Sequence, residues 1–292
     1  MKQTRSLSIA WAILAAALYA LSVPMSKLLL DSVPPTMMAA FLYLGAGMGM
    51  LAVGIVRKKV EKTPSERHLT KQDLPYVVGM IVLDIAAPVF LMIGLSTTAS
   101  ANVSLLNNFE IVATSLAALL VFKEAISRRL WLAIGLITLS STVLSIEDAG
   151  SFQFSGGSLI VLLACVCWGF ENNCTRVMSA GDPLEIVVIK GFGSGIGSLL
   201  IALAAGEAMP GPGLIPVVLL LGFISYGLSI FFYVYAQRRL GAALTSAFYA
   251  VAPFIGAALS LLMFRELPGV RFFAALAIMA AGTYFAAVNT EQ

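Results

Sequence analysis

The stretch at positions 164–176, ACVCWGFENNCTR, places several polar residues inside a segment that otherwise suits a lipid environment. It places the carboxyl group of Glu171 close in sequence to Trp168, Asn172 and Thr175. An ionised carboxylate at the centre of a bilayer costs about 2.5–3.5 kcal/mol on insertion scales. Such a group needs polar partners or a water-filled cavity. We therefore interpret Glu171 as part of a translocation site that binds a proton or a cation.

Three further ionisable residues lie inside apolar segments, namely Asp84, Glu110 and Lys190. Buried acids in membrane spans mark ion or substrate pathways by default, so we assign all three acids to the site. Lys190 has a second interpretation of similar weight, because a lysine about two turns into a helix can extend its ammonium group to the interface. Three acids against at most one lysine predict either that some acids are protonated or that the site attracts cations.

Helical spacing adds neutral side chains to the site. Asn107 and Glu110 share one helix face, and Trp168, Glu171 and Thr175 share another. A third stripe is formed by Tyr226, Ser229, Tyr233 and Gln237. The candidate residues for binding a substrate or proton are Glu110, Glu171, Asp84, Asn107, Trp168, Asn172, Thr175, Tyr226, Tyr233, Tyr249, Tyr19, Ser22 and Lys190.

Other chemistry is poorly supported. Cys167, Glu171 and Cys174 stand at i, i+4 and i+7 and could hold a soft metal, but no histidine is near, and we favour buried thiols. The only histidine, His68, lies in a charged loop, where we expect it to be solvated. The spans contain no HExxH, GxSxG or GK[ST] motif, so we expect no enzyme activity, no cofactor and no metal. Basic residues cluster at the ends of apolar runs, which argues against nucleic-acid binding.

The composition indicates a protein with many membrane spans. Of its 292 residues 59% are hydrophobic and 11% are charged, whereas soluble domains carry about 25% charged residues. Backbone groups in lipid must be satisfied within helices or closed barrels, and the apolar runs are too long for barrel strands. We predict an all-α membrane protein. Its ten predicted spans are 7–30, 36–56, 75–95, 100–122, 130–146, 157–178, 184–206, 214–236, 243–264 and 270–288.

The distribution of basic residues predicts the orientation. Residues 57–73 form the only long polar connector, and this connector is rich in Lys and Arg. It falls on the same side as the other main basic clusters if the N-terminus is cytoplasmic. Arg265 and Arg271 fall on the opposite side and weaken the bias. We therefore expect both termini in the cytoplasm and the chain in the cell membrane.

The chain also repeats itself. The segment YALSVPMSK at 19–27 aligns with WGFENNCTR at 168–176, and LLVFKE at 119–124 aligns with LLMFRE at 261–266. Each half, 1–148 and 149–292, contains five predicted spans, so the second half enters the membrane from the opposite side. Inverted repeats of this kind place their substrate site at the interface of the repeats, near the midplane. The repeat matches Ser22 with Glu171, Tyr19 with Trp168, Asp84 with Tyr226 and Asn107 with Tyr249.

These features resemble the EamA family of the drug/metabolite transporter superfamily. The resemblance rests on the five-plus-five layout, the WG…R pattern of 168–176, and the apolar runs that end at Glu124 and Glu266. Most members of that family export amino acids, metabolites or drugs. The resemblance therefore implies ten helices around a central cavity, and it does not specify a substrate.

The sequence leaves several functions open. The first is an exporter of small amino-bearing or cationic metabolites or drugs, driven by proton exchange at the buried carboxylates. The second is an exporter or facilitator of neutral or aromatic amino acids, in which the carboxylates are structural or act in gating. A channel is a third, which electrogenic flux at channel rates would reveal. The expected partners are the lipid bilayer, a small-molecule substrate, and a proton or exchanged solute; the oligomeric state is open and includes a homodimer.

Overall fold

The computed structural model describes residues 2–60, 67–123, 126–148, 153–236, 248–265 and 268–288. Nearly all of this chain is helical. The elements in chain order are α1 (Lys2–Ala20), α2 (Ser22–Leu29), α3 (Pro35–Val60), α4 (Leu74–Thr97), α5 (Ser100–Leu106), α6 (Phe109–Phe122), α7 (Arg128–Ser145), β1 (Ile146–Asp148), β2 (Gln153–Phe154), α8 (Gly156–Met178), α9 (Pro183–Ala204), α10 (Leu214–Ala236), α11 (Ala252–Phe264) and α12 (Val270–Val288).

Among the described residues, seven helical segments are long and apolar enough to cross a membrane. They correspond to the first four predicted spans and to the sixth, seventh and eighth. Helices α11 and α12 contain shorter apolar stretches, and α7 begins with Arg128 and Arg129, which lower its apolar content. The all-helical class is confirmed, apart from one short β-hairpin, and the count of ten spans stays a prediction. The start of the ninth predicted span, 243–247, lies outside the described residues.

Two spans that were predicted to be continuous are interrupted. The first breaks between Ala20 and Ser22, where Pro24 has no N–H to donate to the Ala20 carbonyl. The fourth breaks at Asn107 and Asn108, between α5 and α6, without a proline. Helix α10 also contains a π-helical turn at Phe223–Leu228. Broken helices and π-turns are frequent at functional sites. The middle of the bundle, where these irregularities lie, is therefore a candidate location for the site.

The centre of the bundle is built where α3 packs against α9 and α4 packs against α8. Small residues allow these close approaches, because a Cβ added to Gly47 would lie 2.9 Å from the backbone nitrogen of Phe192. A Cβ added to Gly94 would lie 2.7 Å from the carbonyl oxygen of Gly157. The glycine-rich segment 191–198 of α9 therefore packs closely against α3. Outside this centre, α7 packs on α12 and α5 packs on α11.

Connecting segments join the two halves of the chain. Strand β1 pairs antiparallel with β2 and forms a hairpin just before α8. Elsewhere, Arg57 Nη1 lies 3.4 Å from Asp182 Oδ1, and His68 Nδ1 lies 3.0 Å from Glu185 Oε2. His68 is exposed, as expected of a solvated loop residue, but its pairing with Glu185 was not predicted.

Two helices end in the same unusual way. Lys123, after α6, has φ 53° and ψ 32°, and Arg265, after α11, has φ 51° and ψ 27°. Left-handed backbone of this kind costs a non-glycine residue roughly 1–2 kcal/mol. The two residues occupy matching positions in LLVFKE and LLMFRE, so the aligned segments share a local conformation as well as a sequence.

Candidate functional site

Asp84 lies at the centre of a buried polar cluster. It stands midway along α4, and its side chain is completely buried. Its Oδ1 atom accepts hydrogen bonds from the hydroxyl of Tyr43 at 2.9 Å and from Nε1 of Trp168 at 3.2 Å. Buried carboxylates require such donors, and these two come from α3 and α8. The polar ends of two large aromatic residues therefore fix Asp84 in place.

Lys190 connects Asp84 to Glu171. Its Nζ atom lies 3.0 Å from Asp84 Oδ2 and 2.8 Å from Glu171 Oε1, and the three side chains are at most 5% exposed. The three residues come from α9, α4 and α8, and we call them the ionic triad. The interpretation that Lys190 extends to the membrane interface is wrong, because two carboxylates hold its ammonium group inside the bundle. Removing one partner of a buried ion pair typically costs about 3–5 kcal/mol.

Glu171 is held by a neighbour on its own helix as well. Thr175, one turn further along α8, donates its hydroxyl proton to Glu171 Oε1, the oxygen that also contacts Lys190. The predicted face of Trp168, Glu171 and Thr175 is therefore real, since all three side chains belong to the same polar cluster.

Glu110 forms a second polar centre close to the triad. It lies in the first turn of α6, and Asn172 Nδ2 donates to its Oε1 at 2.5 Å. The same amide nitrogen lies 3.3 Å from the Thr114 hydroxyl, so Glu110 and Thr114 both face α8. Glu110 is only partly buried, and no Lys, Arg or His of the described segments pairs with it. It is the acid of the site with no cationic partner there.

A series of tyrosines in tilted and edge-to-face ring contact runs from the triad to Glu110. Ring centroids are 5.1 Å apart for Tyr43 and Tyr226, and 5.8 Å apart for Tyr226 and Tyr19. They are 5.7 Å apart for Tyr19 and Tyr249, and 4.9 Å apart for Tyr249 and Tyr233. The carboxyl group of Glu110 lies close enough to the hydroxyl groups of Tyr19 and Tyr249 to interact with both electrostatically. The predicted tyrosines are therefore gathered into one wall, with Tyr43 as a member that sequence reasoning missed.

Two of the predicted residues occupy helix breaks. Asn107 caps the end of α5 and is 5% exposed, and its Oδ1 atom accepts no hydrogen bond from the described residues. Ser22 begins α2, is fully buried and lies next to the Tyr226 hydroxyl. In the stripe predicted along α10, Tyr226, Ser229 and Tyr233 all belong to the tyrosine wall, since the Ser229 hydroxyl lies 3.4 Å from that of Tyr249 and also donates to the Ala15 carbonyl at 2.8 Å. The last member of that stripe, Gln237, lies outside the described residues.

A cavity of about 500 Å³ opens at one end of the bundle rather than at the polar cluster. It lies among the ends of α5, α7, α11 and α12, with Asn102 and Arg271 as its polar lining. None of the predicted site residues borders it.

No three metal-ligating side chains converge within the described ranges, and Cys165, Cys167 and Cys174 are all free thiols. The metal site considered for Cys167, Glu171 and Cys174 therefore receives no support. Glu171 is instead engaged by Lys190 and Thr175.

A family model and two proteins similar to this chain carry the name of transporters. The model of the EamA-like transporter family matches residues 6–146 and 155–288. An uncharacterised transporter of Methanothermobacter thermautotrophicus is 24% identical over 270 residues, which cover 87% of this chain and 78% of that protein. The uncharacterised transporter YyaM of Bacillus subtilis is 23% identical over 230 residues, which cover 76% of this chain and 74% of that protein.

A solved crystal structure is similar to nearly the whole chain. It aligns with a TM-score of 0.71 and 18% sequence identity, covering 98% of this chain and 97% of that one. At this level of identity the likeness concerns the fold alone.

Proposed function

Because this chain belongs to the EamA-like transporter family, we propose that it is a secondary transporter that exports small amino-bearing or cationic compounds in exchange for protons. The chemistry is carried by Glu110 and by the ionic triad of Asp84, Lys190 and Glu171. The observation that supports this proposal best is the partly accessible Glu110 carboxylate, which has no basic partner in the described chain and lies close to the paired rings of Tyr19 and Tyr249.

The proposal includes ten spans arranged as two inverted repeats, 1–148 and 149–292. Three observations support it: the family model matches each half, α7 and α12 pack together as the last helices of the halves, and Lys123 and Arg265 adopt the same left-handed conformation. In the alignment of the halves, Ser22 corresponds to Glu171 and Tyr226 to Asp84. Ser22 lies beside Tyr226, just as Glu171 and Asp84 lie together around Lys190, which agrees with that alignment.

Glu110 binds the cationic group of the substrate in this proposal. A carboxylate that lacks an internal cation gains most from an external one. Tyr19, Tyr249 and Tyr233 add apolar surface and ring faces, to which ammonium groups are attracted by about 0.5–2 kcal/mol. Asn172 holds the carboxylate toward these rings through its amide.

Protons compete with the substrate at the carboxylates. Glu110 and Glu171 are linked through consecutive residues of α8, since Asn172 binds Glu110 while Glu171 itself contacts Lys190. A proton that neutralises the carboxyl groups weakens their hold on a cation. Acid on the outer side therefore favours substrate release there, and return of the protonated carrier completes the exchange.

Transport into proteoliposomes with an acidic interior tests this proposal. The probes are ethidium, tyramine and phenylalanine, which represent a cation, an amine and a zwitterion. We expect ethidium or tyramine uptake that depends on the pH gradient and falls at least tenfold in Glu110→Gln, with Glu185→Gln as an acid-to-amide control at the end of the bundle. Uptake that is equally fast in Glu110→Gln would refute the role of Glu110.

The second candidate is an exporter or facilitator of neutral or aromatic amino acids. The ionic triad favours it, because Lys190 already neutralises part of the buried charge and the acids then serve in structure or gating. Selective uptake of phenylalanine, with little effect of Glu110→Gln, would favour this candidate over the first.

A further inference from the structure

We propose that the seam between α5 and α11 is a gate, and that the cavity of about 500 Å³ at the end of the bundle is the vestibule through which the substrate leaves the site. The seam is the contact of Ser100 and Ser104 on α5 with Gly256 and Ser260 on α11. This inference rests on the proposed function, because a gate needs a substrate that passes it. In the proposed topology, this end of the bundle is the outer one.

The seam lies between the cavity and the polar site on both of its helices. On α5 the cavity lining ends at Asn102, and Asn107 and Glu110 of the site come later in the chain. On α11 the order is reversed, because Tyr249 of the site precedes the helix and Leu261 lines the cavity. A path from the site to the cavity along these two helices therefore crosses the seam.

Small side chains close the seam in this structure. The hydroxyls of Ser100 and Ser260 lie 2.8 Å apart, and both residues are 2% exposed. A Cβ added to Gly256 would lie 3.1 Å from Ser104 Oγ and 3.3 Å from the carbonyl oxygen of Ala20, where α1 ends. At these distances no substrate passes between α5 and α11.

The hydrogen bonds that close the seam can be exchanged for bonds to water at low cost. Neither α5 nor α11 contains a charged side chain, so no ion pair between the two helices has to break. The Ser260 hydroxyl donates to the Gly256 carbonyl at 2.7 Å, so Ser100 is the donor in the bond between the two serines. When the helices separate, Ser260 keeps its acceptor and Ser100 donates to water. A neutral hydrogen bond of this kind contributes only about 0.5–1.5 kcal/mol.

Irregular backbone at both ends of α5 allows this seven-residue helix to move as a short unit. Before the helix, Thr98 and Ala99 have extended conformations. After it, the Asn108 N–H donates to the Leu105 carbonyl three residues back, and the Ile111 N–H donates to the Asn108 carbonyl in the same way. Short 3-10 turns within a helical span often mark hinges. The break between α5 and α6 is therefore a suitable pivot for the gate.

The break and the seam also contain buried polar atoms without partners. The Oδ1 atom of Asn107 and both polar side-chain atoms of Asn108 form no hydrogen bond with the described residues, although the two residues are at most 5% exposed. The Ser104 hydroxyl is unpaired in the same sense. Each such group costs about 1–3 kcal/mol. Movement of α5 that admits water gives these atoms partners, so the open state gains hydrogen bonds that the closed state lacks.

Accessibility of a cysteine on the site side of the seam tests the gate without any substrate. Ser22→Cys is the reporter, because Ser22 is fully buried beside Tyr226, and Cys165, Cys167 and Cys174 are first replaced by alanine. The membrane-impermeant thiol reagent MTSET is added to intact cells and to inside-out membrane vesicles, so that each side of the membrane is tested separately. Peptide mass spectrometry measures the modification of residue 22.

A disulfide locks the seam in this background. Ser100→Cys/Ser260→Cys joins α5 to α11, and its bond is confirmed by peptide mass. The matched control is Ser140→Cys/Ala275→Cys, which also joins the two halves but links α7 to α12, where the Ser140 hydroxyl donates to the Ala275 carbonyl at 2.6 Å. We expect the locked seam to slow modification of Ser22→Cys at least about tenfold from the side on which the cavity opens, because the open state is no longer populated. The control pair and the opposite side of the membrane should show the parent rate.

Gly256→Ala tests the gate without a disulfide. Its methyl group presses against the Ser104 hydroxyl and the Ala20 carbonyl, so it should destabilise the closed seam and make modification from the cavity side at least about threefold faster. Gly135→Ala is the control, since a Cβ at Gly135 on α7 meets no atom within 4 Å. If the disulfide at the seam does not form, this comparison decides alone.

The proposal is overturned if the locked seam keeps the parent rate, if the lock slows modification equally from both sides, or if Gly256→Ala makes modification no faster than Gly135→Ala does. Failure of Ser22→Cys to react from the cavity side at all would also overturn it. A seam that controls access as expected, in a protein that moves none of ethidium, tyramine and phenylalanine, would contradict the proposed function and leave the gate supported. Uptake of a probe at the parent rate through the locked seam would refute the gate and leave the proposed function standing.

Discussion

At the scale of single residues, Asn172 connects the two polar centres of the site. Its amide binds Glu110 and lies near Thr114, while its sequence neighbour Glu171 belongs to the ionic triad. An asparagine can donate to a carboxylate and remain neutral, so it orients Glu110 without neutralising it. Loss of this donor leaves Glu110 free to rotate away from the tyrosines.

Asn172→Ala should therefore raise the substrate concentration needed for half-maximal uptake about tenfold, because a hydrogen bond to a charged group contributes about 1.5–3 kcal/mol. Asn172→Asp should be more harmful, since it places a second negative charge beside Glu110. Uptake kinetics with tyramine or ethidium measure both effects. Asn173→Ala is the control, because Asn173 bonds backbone carbonyls of Thr114 and Gly169 instead. Equal losses in the two alanine variants would contradict an orienting role for Asn172.

Much of the site could be predicted from single residues, and some of it could not. Buried acids are costly, so Asp84, Glu110 and Glu171 stand out in an apolar sequence. Helical spacing then grouped Glu171 with Thr175. The contact of Lys190 with two carboxylates depends on how three helices pack, and no local spacing encodes that. Tyr43 was missed for the same reason, although a hydroxyl in mid-span is a usable signal because it needs a partner.

At the scale of elements, the irregular helices lie around the tyrosine wall. The break after Ala20, the break at Asn107–Asn108 and the π-turn that contains Tyr226 all interrupt apolar segments that sequence reasoning treated as continuous. Pro24 accounts for the first break, whereas no residue type in the sequence predicts the other two irregularities. Hydrophobicity sets the length of a span, whereas the packing of its neighbours decides where its hydrogen bonding is interrupted.

The left-handed ends of α6 and α11 allow a test at this scale. Lys123→Gly should relieve the backbone strain and raise the free energy of unfolding by about 1 kcal/mol. Lys123→Ala is the matched control, because it removes the same side chain and keeps a Cβ in left-handed backbone. Arg265→Gly and Arg265→Ala should behave in the same way. Thermal unfolding in detergent measures the differences, and a glycine variant no more stable than its alanine control would contradict the expectation.

At the scale of the whole molecule, the two halves share one core. The α3–α9 and α4–α8 contacts cross between the halves, and the ionic triad takes Asp84 from the first half and Lys190 and Glu171 from the second. Neither half has a complete polar cluster by itself. Contacts at the ends of the bundle also join the two halves, such as the pairing of Arg57 with Asp182.

The proposed inverted topology can be tested with fusions to green fluorescent protein, which becomes fluorescent in the cytoplasm but not after export in an unfolded state. A fusion after residue 292 should be fluorescent, because ten spans return the chain to the side of its N-terminus. A fusion after residue 150 should be dark, because five spans leave it on the opposite side. Immunoblots control for expression, and fluorescence from both fusions would contradict an odd number of spans in the first half.

The neutral contact between Ser22 and Tyr226 stands where the alignment of the halves would place a second copy of Glu171 and Asp84. Two identical five-helix chains related by a twofold axis must carry every charge twice. Such a dimer would bury four carboxylates where this protein buries two. A single polypeptide is not bound by this symmetry. One of its two equivalent pairs, Ser22 and Tyr226, can be neutral while the other, Glu171 and Asp84, carries the carboxylates. In the proposed inverted repeat, this unequal distribution of charge therefore requires that the two halves be joined in one polypeptide.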